Sequence, residues 1–240
     1  MKQGSLNLII VGGSAVIGWA IFEFMFPQFV KDGGPLIIGL VAMSIMVVTY
    51  IIERQLSLKK AGGRGPLPKF LKSLVQNVMS NDIPAAIAVC DQQRGSLANI
   101  VKTGLERYQE INEKKDLTKK EKMEEVKRVI EEATMLEMPI LERNLIALST
   151  IASVSTMWGL LGTVLGMIRS FQALAKAGAP DATALSLGIS EALLNTAGGI
   201  GVAIVAIVAY NFFTSKIDGM TNMIDEASKD IIMNLQAKHE

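Results

Sequence analysis

Cysteine and histidine are nearly missing: Cys90 and His239 stand alone in a chain of 240 residues. A single thiol excludes an internal disulfide framework and suits a reducing compartment. Cys90 sits in a helical-looking segment and reads as inert filler rather than as a nucleophile. His239 lies in a polar tail, which excludes a histidine-based metal site or catalytic triad. Charge of one sign is missing too. Lys and Arg number 24 against 23 Asp and Glu, a net of +1, so no basic field argues for nucleic acid. His-Glu-x-x-His, paired CxxC and Gly-x-Ser-x-Gly are all absent, and Gly62-Gly-Arg-Gly65 lacks the Lys-Ser/Thr of a phosphate loop. Ser190 has no His or Lys base near it in sequence. The expectation is a protein that is not an enzyme and carries no cofactor or metal.

Hydrophobic residues make up 50% of the chain, with aromatics only 5%. Four apolar runs stand out, at 6–26, 35–52, 145–171 and 185–213. At about 1.5 Å rise per residue each reaches across a hydrocarbon core of about 30 Å, the second only just. The predicted fold is an all-α integral membrane protein whose long helices extend into a cytoplasmic helical domain. The expected divisions are an extra N-terminal apolar helix with a short outer loop (1–34), a membrane helix (35–54), a cytoplasmic helical domain (55–144), a second membrane helix (145–171), a short periplasmic loop (172–184), a third membrane helix (185–214) and a cytoplasmic C-terminal helix (215–240).

Basic residues set the orientation. Residues 53–144 hold 17 of the 24 Lys and Arg, the tail holds three more and Lys2 precedes the first run, which leaves only Lys31, Arg169 and Lys176 for the outer side. The first run, 6–26, follows Lys2 as in a signal peptide, yet no small-x-small cleavage site follows it. It reads as a span, with an interfacial helix carrying Trp19 and Glu23 near the surface as the alternative.

In the charged domain, Phe70 to Met79 repeats apolar residues at three and four. Ser80 to Pro84 is a turn that starts a further helix, and Lys59 to Pro68 reads as a linker leaving the membrane. Thr118 with Glu121 forms a capping box for a helix beginning near Lys119. Its stripe, Met123, Val126, Val129, Ile130, Ala133, Leu136 and Leu141, is expected to run on into the 145–171 helix with a kink at Pro139. The charge run 113–128 reads as a solvated face laced by i,i+4 pairs.

Chemistry concentrates in the last two runs. Ser155, Gly159, Gly162 and Gly166 fall close to one helical face, and Gly162-x-x-x-Gly166 permits close backbone approach. Thr163 is ambiguous, since a membrane threonine often bonds its own i−4 carbonyl. In the last run Gly188, Ala192, Asn195, Gly199 and Ala203 keep one face small, while Glu191, Asn195 and Thr196 add polar groups. An ionisable residue at membrane depth is a functional-site hypothesis by default. The alternative places Glu191 at the outer headgroups, paired with Arg169 or Lys176.

The segments Trp158-Gly-Leu-Leu-Gly-Thr-Val-Leu-Gly-Met167 with Phe171, Gly188-Ile-Ser-Glu-Ala-Leu, Val202-Ala-Ile and Ala209-Tyr-Asn211 resemble the MotA/TolQ/ExbB proton-channel family, most closely its ExbB members. The run Ile52-Glu-Arg54 is similar to the exit of that family's first membrane helix. The resemblance implies a homo-oligomeric, pentamer-like ring in the bacterial inner membrane, closed around an ExbD- or TolR-like single-span partner and acting on a TonB-like protein. The main proton carrier would then be an aspartate of the partner. On this resemblance Thr163, Glu191, Asn195 and Thr196 line the proton pathway, while Gly159, Gly162, Gly166, Gly188 and Gly199 pack the helices. Two residues depart from the pattern: Asn195 stands where a second threonine is common, and Val205 replaces the proline of an Ala-Ile-Pro-Ala segment. Run 6–26 has no counterpart there. A TolQ-like or flagellar stator-like subunit and a passive membrane scaffold are the alternatives.

Overall fold

A computed structural model describes residues 34–112, 118–176 and 182–237, with isolated positions 10, 12–14, 16, 17 and 20 before them. The expected helix over 6–26 lies for the most part outside the described residues. From residue 34 onward they form seven helices: α1 (Leu36–Ala61), α2 (Leu67–Met79), α3 (Ile83–Gln93), α4 (Ser96–Asn112), α5 (Lys119–Leu141), α6 (Leu145–Lys176) and α7 (Ala182–Ala237). Among the described residues three helical stretches are long and apolar enough to cross a membrane: α1, the stretch through α6, and α7. The chain divides into two compact units, 1–53 with 144–212 and 54–143 with 213–240.

The first unit carries the apolar helices. Ile146, Met157, Leu160, Leu193 and Val208 are each more than half exposed, a pattern that suits lipid and not water. Packing between helices relies on small residues. Gly39 leaves room for the Trp158 ring, since a Cβ there would lie 2.8 Å from it, and the indole N–H donates to the Leu36 carbonyl at 3.0 Å. Leu40 reaches Gly198 in the same way, with 3.1 Å to an added Cβ. These contacts join α1 to α6 and to α7.

Helix α7 shows how the solvent writes the sequence. Its buried positions follow one helical stripe, but the residue types change along it. Gly188, Ala192, Asn195, Gly199, Ala203 and Ala206 come first; Phe213, Ile217, Met220, Ile224, Ile231 and Leu235 follow. Lipid gives no hydrophobic drive for helix association, so close approach of backbones must supply it. In water, bulky side chains gain from burial. The helix continues unbroken through Val205, which is half exposed where the resemblance leads one to expect a proline.

The second unit is a set of short helices around an apolar core. Phe70, Leu74 and Val78 form the buried stripe of α2. Asp82 caps α3 by accepting from the Ala85 N–H at 3.0 Å, which places Pro84 at the second helical position. Burial beside Asp91 pushes the Cys90 thiol up to about 12, so thiolate is scarce at neutral pH. The capping box at Thr118 is present: the Glu121 carboxylate accepts from the Thr118 N–H at 2.7 Å, and the Thr118 hydroxyl accepts from the Glu121 N–H at 3.3 Å. Gly104 lets Ile130 sit on α4, because an added Cβ would lie 2.5 Å from its Cγ1.

One expectation is corrected. The stripe of α5 does not run on into α6. The helix ends at Leu141, Asn144 adopts φ 62°, and a new helix begins at Leu145. A left-handed residue cannot continue a right-handed helix, and Asn is one of the few side chains that tolerates it. Arg54 is fully buried and donates to the Leu141 carbonyl at 3.2 Å, taking an acceptor that the end of α5 leaves without an intrahelical partner. Leu136, assigned to the stripe from sequence, is 75% exposed.

Candidate functional site

Helices α6 and α7 meet along glycine. Ser155, Gly159, Gly162, Gly166 and Ser170 are all buried on α6, as are Gly188, Ala192, Asn195 and Gly199 on α7. A Cβ on Gly166 would lie 2.8 Å from the Gly188 carbonyl oxygen, and one on Gly159 would lie 2.9 Å from that of Asn195. One on Gly199 would lie 2.5 Å from the carbonyl oxygen of Ser155. Gly162 faces the Asn195 side chain directly. The two backbones therefore approach too closely for any larger residue at these steps.

The polar residues fall into two groups. At the glycine crossing, the Thr163 hydroxyl is hydrogen-bonded to the Thr196 hydroxyl. Both also point at the Gly159 carbonyl, at 3.3 Å and 3.2 Å. Thr163 thus makes the i−4 bond considered from sequence and reaches across to α7 as well. Asn195, fully buried beside this pair, donates to the Glu191 backbone carbonyl at 2.9 Å.

Glu191 belongs to the second group. Its carboxylate is ion-paired with Arg169, and the two side chains are 12% and 47% exposed. Gly34, at φ 73°, leads into α1 and presses on this carboxylate, so three segments converge there. Of the two partners weighed from sequence, Arg169 takes the charge; the side chain of Lys176 lies outside the described residues. Nearby, the Ser170 hydroxyl donates to the Leu185 carbonyl at 3.3 Å. Gly34 and Ser170 were not singled out by sequence. Ser170 continues the 155, 159, 162, 166 spacing and could have been found by extending it one step. Gly34 gave no local signal, because its role is set by residues more than a hundred positions away.

Two hydroxyls in contact, both half-buried, can pass a proton between an acceptor and a donor without covalent chemistry. Among the described residues no group of three or more His, Cys, Asp or Glu could hold a metal ion. What this arrangement offers is positioned hydroxyls, one amide and one paired carboxylate along a close helix crossing.

The pattern that defines the MotA/TolQ/ExbB proton channel family matches residues 92–226, more than half of the chain. The chain belongs to this family. The matched stretch holds all of α6 and most of α7, and with them Thr163, Glu191, Asn195 and Thr196. Among similar proteins, the putative biopolymer transport protein ExbB-like 3 of Synechocystis sp. is 36% identical over 118 residues, covering 48% of this chain and 56% of that one. The biopolymer transport protein ExbB of Pseudomonas putida is 40% identical over 86 residues, 36% of this chain and 26% of that one. The Tol-Pal system protein TolQ of Pseudomonas aeruginosa is 34% identical over 117 residues, 49% of this chain and 51% of that one. The chain therefore matches between about a quarter and somewhat over half of these relatives' lengths.

Proposed function

We propose that this chain is the proton-channel subunit of an inner-membrane motor that uses the proton motive force to energise TonB-dependent outer-membrane transport. In this reading about five copies form a ring, an ExbD- or TolR-like helix occupies its centre, and most of the soluble mass faces the cytoplasm. The observation that carries it is the Thr163–Thr196 hydroxyl pair, held at a glycine crossing inside the stretch that defines a proton channel family. A hydroxyl pair next to a partner's acid can hand a proton on by exchanging which oxygen donates. Glu191 acts at the outer end, where Arg169 keeps a carboxylate ordered near the mouth of the path. Its pairing makes it a tuner of access more than the relay itself.

The test is direct. In cells relying on this chain, Thr163→Ala and Glu191→Ala variants that still assemble should lose proton-driven uptake. Normal uptake in both would sink the proposal, and normal constriction as well would leave a passive scaffold. A second reading, a TolQ-like subunit that drives envelope constriction, is favoured by a TolQ relative whose identity and coverage rival those of the ExbB relatives. Under that reading the same substitutions leave uptake intact and impair constriction.

A further inference from the structure

Two cations of the linker read from sequence, Lys60 and Arg64, meet two from elsewhere in the second unit. Within the second unit a cleft of about 760 Å³ is lined by Lys60, Arg64, Arg94 and Arg143, with Ser57 and Ser96, and no carboxylate lines it. Three interruptions of the chain bring them together: the α1–α2 turn, the α3–α4 turn and the break after α5.

The first two turns are fixed to each other by a buried glutamine. The Gln93 side-chain amide donates to the carbonyls of Gly62 and Gly65 at 3.0 and 3.1 Å, and the Arg64 N–H donates to the Gln93 carbonyl at 2.7 Å. Gly95 packs against the Gly63 nitrogen, where an added Cβ would lie 2.9 Å away, and Gly63 itself sits at φ 80°. Arg94 adopts φ 49°, a left-handed conformation that a non-glycine residue rarely takes. The fold thus spends backbone strain and a buried amide to hold Arg64 and Arg94 on one rim.

None of the four cations forms an ion pair among the described residues. The Arg94 guanidinium donates to the backbone carbonyl of Asp91, at 3.4 Å, while the Asp91 carboxylate is taken by Lys102 at 2.6 Å. Glu137 accepts from the amide of Asn99 at 3.2 Å. Arg143 Nε is buried without a hydrogen-bond partner. Helix α4 begins at Ser96 on the rim of the same cleft, and a helix N-terminus favours negative charge. Every charged group lining it is a cation, so the partner that fits it is an anion with several acceptor oxygens.

Chain continuity says where that anion lies. Lys60 is eight residues beyond the apolar run that ends at Ile52, roughly 12 Å along the helix, and Arg143 precedes Leu145, the first residue of α6. Both positions fall at the polar surface of a bilayer, where basic pockets meet lipid headgroups. We propose that this cleft binds the phosphate of an anionic phospholipid headgroup, with Arg94 and Arg143 as its principal contacts. The inference rests on α1 and α6 being membrane helices, and not on proton conduction.

Native mass spectrometry of the full-length protein tests it, after purification in detergent and exposure to phosphatidylglycerol or to phosphatidylcholine. Phosphatidylglycerol should be retained and phosphatidylcholine not. Each cation removed should weaken retention about fivefold, and the Arg94→Gln/Arg143→Gln double variant about 25-fold. Lys72→Gln, an exposed cation outside the cleft, should change nothing. Retention by the double variant, or an equal loss in Lys72→Gln, overturns the site. Displacement of phosphatidylglycerol by millimolar inorganic phosphate overturns the lipid assignment in favour of a soluble anion. Circular dichroism of each variant separates loss of the site from loss of the fold. If uptake depends on Thr163 and lipid retention does not, the two proposals fail or stand separately.

Discussion

At the scale of single residues, the glycines of α6 and α7 differ sharply in what they tolerate. Gly162 faces the Asn195 side chain so closely that any Cβ forces the helices apart, whereas Gly201 has open space around it. Gly162→Val should therefore destabilise the crossing by about 1–3 kcal/mol or more through overpacking, and should separate the Thr163 and Thr196 hydroxyls. Gly201→Ala, on α7, should be neutral or stabilising by up to about 1 kcal/mol because it removes glycine's excess backbone entropy. Thermal unfolding of the two variants in detergent checks this. A Gly162→Val protein as stable as its parent would mean that the close approach is not a constraint. The comparison also separates packing from polarity, since neither substitution touches a hydroxyl.

Elements are held by a mixture of local and distant signals, and pH separates them. Glu125 of α5 accepts from Arg128 on its own helix and from Arg107 on α4, both at 2.8 Å. Those hydrogen bonds, with Arg128 first and Arg107 next, hold its carboxyl down to about 2. A carboxylate with a lowered folded pKa contributes stability that is complete above its unfolded value, about 4.3, and is lost as pH falls through the folded value. The α4–α5 pair should hence loosen as pH drops from about 4.5 to 2. In Glu125→Gln this window should flatten, read as the melting temperature against pH. Thr118→Ala should cost the start of α5 about 0.5–2 kcal/mol at any pH above that window.

The contrast explains what could be read in advance. Thr118 and Glu121 are three residues apart, and a capping box needs nothing from the rest of the molecule, so sequence located it. The apolar runs were equally legible, because lipid demands an uninterrupted length of chain. Arg54 capping Leu141 across 87 positions left no local trace. Nor did the bonds from Gln93 to the glycine turn, and the break at Asn144 was hidden behind a hydrophobic period that simply continued through it. At the candidate site Thr163 and Thr196 were singled out through the family resemblance, and their contact with each other left no local trace. That Glu191 pairs with Arg169 depended on how far α6 slides along α7, which no periodicity determines.

For the whole molecule, the decisive feature is a surface that one copy leaves bare. On α5, Met135, Leu136 and Ile140 are 73%, 75% and 54% exposed. A contiguous apolar patch outside a core is unfavourable in water unless something covers it. In the ring proposed above, a neighbouring copy would supply the cover through a head-to-tail contact that closes. Leu136→Glu places a charge in that contact while leaving the buried Met123, Val126 and Ile130 stripe of the same helix intact. The variant should keep its helical content and shift the native mass from about five chains of 25.9 kDa toward single copies. An unchanged assembly would place the patch against lipid instead, and the subunit contacts would then have to come from the exposed faces of the membrane helices alone. That outcome would also move the ring's closure, and the width of any central pore, to the lipid-embedded half of the protein.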